Sequence, residues 1–133
     1  MAEAFDEPGY SADENKEGFV RLRVKLDGLK VHSAGILDRI RGRHPLPKGK
    51  NAEIENRTLT EREFQLIVRG TKAGEMKGAL YKLHIRQLPY AIDPAETYFV
   101  GLEGFIEVFF KKFDETQSWE KAIRSGSLET FEG

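Results

Sequence analysis

The sequence predicts an α+β domain. It consists of a small, mainly antiparallel β-sheet or OB-like barrel of about five strands, with one or two short helices, the last near the C-terminus. Three observations lead there. Two segments alternate strictly between apolar and basic residues, the pattern of strands with one face buried. Glycine- and proline-rich stretches cut the chain into pieces too short for long helices. Residues 118–126 alone combine a serine cap, a helical run and a closing glycine. Short twisted strands joined by long basic loops suit the OB type; a flat sheet packed by helices on one face is the alternative.

Residues 1–17 show no apolar period and read as an acidic flexible arm. A single globular domain is expected over 18–126, and a loose tail over 127–133. In Phe19-Val20-Arg21-Leu22-Arg23-Val24-Lys25-Leu26 the even positions are aliphatic and the odd ones after Phe19 are basic. Asp27-Gly28 then suits a tight turn and Leu29 to His32 resumes the alternation. The expected element is a hairpin pairing 19–26 with 29–33. Ile36, Leu37 and Ile40 fit either a short helix capped by Ser33 or an extended second strand. Residues 41–50, with two prolines and two glycines, read as a loop.

Two segments remain open between helix and strand. In 60–69, Thr60 and Glu63 fit a capping box, yet Phe64, Leu66 and Val68 alternate. In 105–113 the phenylalanines at 105, 109 and 113 fit a helix, whereas Ile106, Val108 and Phe110 fit one face of a strand. Tyr81, Leu83 and Ile85 alternate with Lys82, His84 and Arg86, and 97–100 reads as a further strand. The expected core holds Val20, Leu22, Val24, Leu26, Leu29 and Val31. It is completed by Phe64, Leu66, Val68, Tyr81, Leu83, Ile85, Phe99, Ile106 and Phe110.

A length of 133 residues, 39% of them hydrophobic and 11% aromatic, suits one domain with a real core and argues against disorder. Cysteine is absent, which excludes disulfides, thiolate metal sites and cysteine nucleophiles. No apolar run approaches the ~18 residues of a membrane span, and residues 1–7 lack the features of a signal peptide. The expectation is a cytoplasmic protein without a membrane role.

Charge is distributed unevenly behind a net of −1. Residues 1–17 hold six acids and one base, residues 18–91 sixteen bases and seven acids, and residues 92–133 four bases and nine acids. The zones therefore carry −5, +9 and −5. A basic middle of this kind points to a polyanion partner. The candidate nucleic-acid-binding residues are Arg21, Arg23 and Lys25 on one strand and Lys82, His84 and Arg86 on another. Arg39, Arg41, Arg43, Lys48 and Lys50 in the loop join them. If both strands share one sheet, their basic rows point outward together, and Phe19 has the parity to stack on a base.

Catalytic signals are lacking. His32, His44 and His84 show no metal-ligand spacing, and no cofactor or metal is expected. Glu53/Glu55 and Glu61/Glu63 could share a strand face, but charged residues near loop ends are commoner. His32-Ser33 carries no sign of an activated nucleophile, and no glycine loop matches a phosphate-binding pattern. Asn56-Arg57-Thr58 matches a glycosylation acceptor, which carries little weight without a secretory signal. Trp119 reads as a docking residue for the last helix. Two functions are expected. The first is a non-catalytic nucleic-acid-binding accessory protein gripping the phosphate backbone. The second is a protein–protein interaction module using the aromatic 98–113 segment, in the manner of an assembly subunit, inhibitor or adaptor.

Overall fold

The computed structural model describes residues 4–32, 46–71 and 76–129. Its elements are β1 (Tyr10–Asp13), β2 (Phe19–Lys25), β3 (Ala52–Leu59), β4 (Phe64–Gly70), β5 (Leu80–Ile85), β6 (Ile92–Leu102), β7 (Phe105–Lys112) and a helix, α1 (Glu120–Ser125). The strands form a four-stranded sheet in the order β1-β2-β7-β6 and a three-stranded sheet in the order β3-β4-β5. Every strand pair is antiparallel.

Alternation decides which face of each sheet is buried. Val20, Leu22 and Val24 of β2 lie opposite Phe110, Val108 and Ile106 of β7, and all six are fully buried. From the other sheet, Phe64, Leu66 and Val68 of β4 pair with Ile85, Leu83 and Tyr81 of β5 and complete the same core. Phe64 joins the layers, with its ring 5.2 Å from Phe110, edge to face, and 6.4 Å from Phe99. Such pairs add about 0.5–1.5 kcal/mol beyond the area they bury. Trp119 at the start of α1 is 1% exposed and belongs to the same cluster, as does Leu128 beyond the helix.

The mainly antiparallel sheet and the late helix are as the sequence predicts, but seven strands in two open sheets replace a single sheet or closed barrel of five. The two additional strands carry weak signals. β1 has four residues, of which only Tyr10 and Ala12 turn toward the core. β3 presents exposed Glu53, Glu55 and Arg57 around half-buried Ile54, and a register shift interrupts it between Asn56 and Thr58. The open segments 60–69 and 105–113 resolve as strands. Thr60 and Glu63 close the β3–β4 turn instead of a helix: the Thr60 Oγ1 accepts the Glu63 N–H at 3.0 Å, and the Thr60 N–H donates to the Glu63 carbonyl at 2.9 Å.

The hairpin expected at 19–33 does not form. Asp27-Gly28 turns as its composition demands, with φ +83° at Gly28 and the Leu29 N–H donating to the Leu26 carbonyl. Both edges of β2 are already taken by β1 and β7, so the chain leaves the sheet after the turn. The side chain of Asn51 holds that exit, donating to the Gly28 carbonyl at 2.7 Å and accepting from the Lys30 N–H at 2.9 Å. Residues 30–32 then bond residues 48–50, through Lys50 N–H to the Lys30 carbonyl and His32 N–H to the Lys48 carbonyl. The element expected at residues 33–40 lies outside the described residues.

Residues of both terminal segments make contacts with the sheets. Asp6 bridges Tyr81 of β5 in parallel, and four residues later the chain enters the other sheet as β1, so the acidic arm joins the two sheets along one side. Leu128 is buried and its N–H donates to the Tyr10 hydroxyl at 3.0 Å, while Glu129 accepts the Arg86 N–H at 2.9 Å. Tyr10, Ala12 and Leu128 from these segments pack with the core.

Gly70 gives a direct test of the described packing. A Cβ at that position would lie 1.5 Å from the Met76 carbonyl oxygen, whereas one at Gly9 meets nothing within 4 Å. Gly70→Ala is expected to cost more than about 3 kcal/mol in chemical denaturation, and Gly9→Ala to stay within about 0.5 kcal/mol of the parent.

Candidate interaction surface

The residues opposite in parity to the core build the outer face of the four-stranded sheet. Register places Phe19, Arg21, Arg23 and Lys25 of β2 beside Lys111, Phe109, Glu107 and Phe105 of β7. On the far side, Tyr98, Val100 and Leu102 of β6 lie opposite Phe109, Glu107 and Phe105. The result is an apolar and aromatic strip along β6 and β7, bordered by arginines along β2. Tyr98 and Phe109 stack at 4.7 Å with 11° between their planes, and Phe19 meets Tyr98 edge-on at 5.6 Å. Leu102 is 38% exposed, and Phe113, one step past β7, is 73% exposed. Among the described residues no helix or strand covers this face: α1 packs through Ala122 and Ile123 toward the core, beside β1.

Carboxylates occupy the expected basic row on β2. Arg21 donates to the Asp13 carboxylate from Nε at 3.0 Å and from Nη2 at 2.7 Å. That partner raises the Arg21 pKa above its ordinary value. Arg23 donates through the same two nitrogens to Glu107 Oε2 at 3.1 and 3.0 Å, and its guanidinium lies 5.2 Å from the Phe105 ring. Arg21 also approaches Glu107, whose side chain is only 8% exposed, at 3.6 Å. The two arginines are therefore internally neutralised. Lys25 is exposed and has no carboxylate partner among the described residues.

One lysine near this face gave no sequence signal. Lys16 follows β1 in the acidic arm, and its ammonium lies 4.9, 5.1 and 5.8 Å from the ring centres of Phe19, Tyr98 and Phe109. Its Nζ donates to the Tyr98 hydroxyl at 2.7 Å. Each such ring contact is worth about 0.5–1 kcal/mol at an exposed site. In sequence Lys16 is a lone base in an acidic run; only the return of the chain past β1 brings it over the rings.

The second basic row lies on the other sheet. Lys82 is half-buried, with its ammonium 5.8 Å from the Phe5 ring, and Arg69 approaches the same ring at 5.4 Å. His84 shares a 2.6 Å hydrogen bond with Glu63. Arg86 is exposed just beyond β5. Because the two sheets pack their inner faces together, the Arg21 row and the Lys82 row point to opposite sides of the molecule and do not converge. Lys48 and Lys50 are exposed beside the 30–32 segment, and Arg39, Arg41 and Arg43 lie outside the described residues. Of the carboxylate pairs, Glu55 is taken by Arg57 at 2.6 Å and Glu63 by His84. Among the described residues no three potential metal-ligating side chains gather, and no helix is long and apolar enough to cross a membrane. No protein-family model and no curated protein matches the chain.

Behind the face, Glu14 fastens the arm to the C-terminal segment. Its Oε1 accepts the Trp119 N–H at 3.0 Å and pairs with Lys112 at 2.5 Å, while the Ser118 hydroxyl donates to Oε2 at 3.3 Å. Burial pushes the Glu14 pKa up, but bonds from Lys112, Trp119 and Ser118 together with the charge of Lys112 outweigh it and leave the carboxyl below its ordinary value. A carboxyl depressed by folding contributes stability above its unfolded pKa and loses it as pH falls through the folded one. Glu14→Gln is expected to cost about 1–3 kcal/mol at pH 7, because Lys112 keeps only a carbonyl partner. Denaturation measured across pH should show that difference shrinking as pH falls from the ordinary glutamate pKa of about 4.3 through the lower folded one.

Proposed function

We propose that this protein is a protein–protein interaction module whose docking surface is the outer face of the four-stranded sheet. The observation that carries the reading is the apolar strip on β6 and β7. Val100, Leu102, Phe105 and Phe109 share one outer side of the sheet with no described helix or strand packed over them. Aromatic residues dominate binding energy where they can be desolvated in a cluster rimmed by polar groups, and the flanking arginine–carboxylate pairs form such a rim. A scaffold of two sheets holds the strip rigid, which lowers the ordering cost of binding. The lack of cysteine suits work in a reducing compartment such as the cytoplasm.

The nucleic-acid reading keeps one argument, the +9 of residues 18–91. Against it stands the division of the two basic rows between opposite sides, together with the pairing of Arg21, Arg23 and His84 with carboxylates. A phosphate would have to displace those partners, and counterion release favours a continuous positive surface.

A photo-crosslinking residue at Leu102, with a control at exposed Glu53 on the other sheet, tests the proposal in cells. Discrete protein adducts are expected from position 102, lost on Phe109→Asp, and absent from position 53. Adducts at both positions or at neither would overturn it. So would low-salt binding to DNA or RNA that Arg21→Ala and Lys82→Ala weaken together, which would establish the alternative.

A further inference from the structure

Resting on that docking surface, we infer the chemistry of the partner: an acidic segment carrying two apolar side chains, with carboxylates that pair with Lys16 and Lys25. The two lysines mark the ends of the strip. Lys16 lies over Phe19, Tyr98 and Phe109, while Lys25 lies opposite Phe105, whose other cross-strand neighbour is Leu102. Phe105 and Phe109 are four residues apart on one strand, a separation of about 13 Å. The apolar strip thus runs from the ring-held ammonium of Lys16 to exposed Lys25 at the end of β2.

Among the described residues these cations differ from their neighbours in having no acid to satisfy them. Arg21 and Arg23 are held by Asp13 and Glu107, and Lys111 is held by Glu115. Lys16 has ring faces and a phenol oxygen, and among the described residues neither it nor Lys25 meets a carboxylate. Ring faces attract an ammonium without neutralising it, so Lys16 is positioned and still able to pair. Fixing a long side chain before the partner arrives removes part of the rotamer entropy that binding would otherwise cost. A carboxylate arriving beside apolar anchors meets an ammonium whose surroundings lose water as the anchors seat, and Coulomb attraction strengthens there. A basic segment would meet Lys16 and Lys25 as like charges, which makes the surface discriminate as well as attract.

Selection from a displayed library of random twelve-residue peptides tests the inference on the full chain, followed by calorimetry with the enriched peptides. Enriched sequences are expected to carry net negative charge and two large apolar residues. Lys16→Glu with Lys25→Glu should weaken their binding at least tenfold, and replacing the peptide acids by lysine should restore it against that variant. Enrichment of neutral or basic peptides, or acidic peptides indifferent to the double charge reversal, would overturn the partner chemistry. Phe109→Asp separates the two levels. Peptides that lose binding to it but ignore the lysines leave the docking face standing without its acidic preference. Peptides that bind it unchanged, or no enrichment at all, overturn both.

Discussion

The register of β2 against β7 sets what this molecule shows to its surroundings. Val20, Leu22 and Val24 opposite Phe110, Val108 and Ile106 consign one side of the ladder to the core. The residues between them are then obliged to face outward, whatever their polarity. A one-residue slip of β2 would turn Arg21 and Arg23 inward and expose Val20, Leu22 and Val24, so the register is strongly fixed. The outer face therefore inherits Phe105 and Phe109 from the same rule that buries Ile106 and Phe110. A strand with bulky residues at nearly every position can be accommodated inside a sheet only if both of its sides are apolar.

Legibility followed the strength of the local pattern. β2 and β5 could be read because apolar and basic residues alternate from Val20 to Lys25 and from Tyr81 to Ile85, and that alone identified Leu22, Val24, Leu83 and Ile85 as core. The central strand β7 resisted for the opposite reason. With Phe105, Ile106, Val108, Phe109 and Phe110 all apolar, no period separates strand from helix, and only pairing on both edges decides. β1 and β3 were invisible because edge strands with solvated outer faces need few apolar residues. The turn at Asp27-Gly28 was legible as a turn, but a dipeptide has no means of specifying which strand comes next.

The candidate surface was half legible. The 98–113 segment stood out for its aromatics, and the parity of Phe19 placed it with the arginine row. What composition concealed was the pairing. Zones of −5, +9 and −5 suggest a basic body with acidic arms, yet the acids of the first and last zones return to the bases of the middle one, as Asp13 does to Arg21 and Glu107 to Arg23. Charge counted along a chain measures a surface only when neighbours in sequence remain neighbours in space. In an antiparallel sandwich most do not.

The clasp between the two ends of the described chain bears on the order in which the protein takes shape during synthesis. Glu14 bonds the backbone of Trp119, 105 residues later, and Tyr10 bonds that of Leu128, 118 residues later. A ribosome delivering the chain from the N-terminus releases β1 and β2 long before β7, Trp119 or Leu128 exists to cover them. Until then the inner sides of Val20, Leu22 and Val24 have no β7 partners, and one edge of β2 has nothing to pair with. Contacts this distant in sequence slow folding, since the loop must close before any of them forms. The emerging chain thus passes through an interval in which an apolar strand is unprotected, until β7, Trp119 and Leu128 have all been delivered.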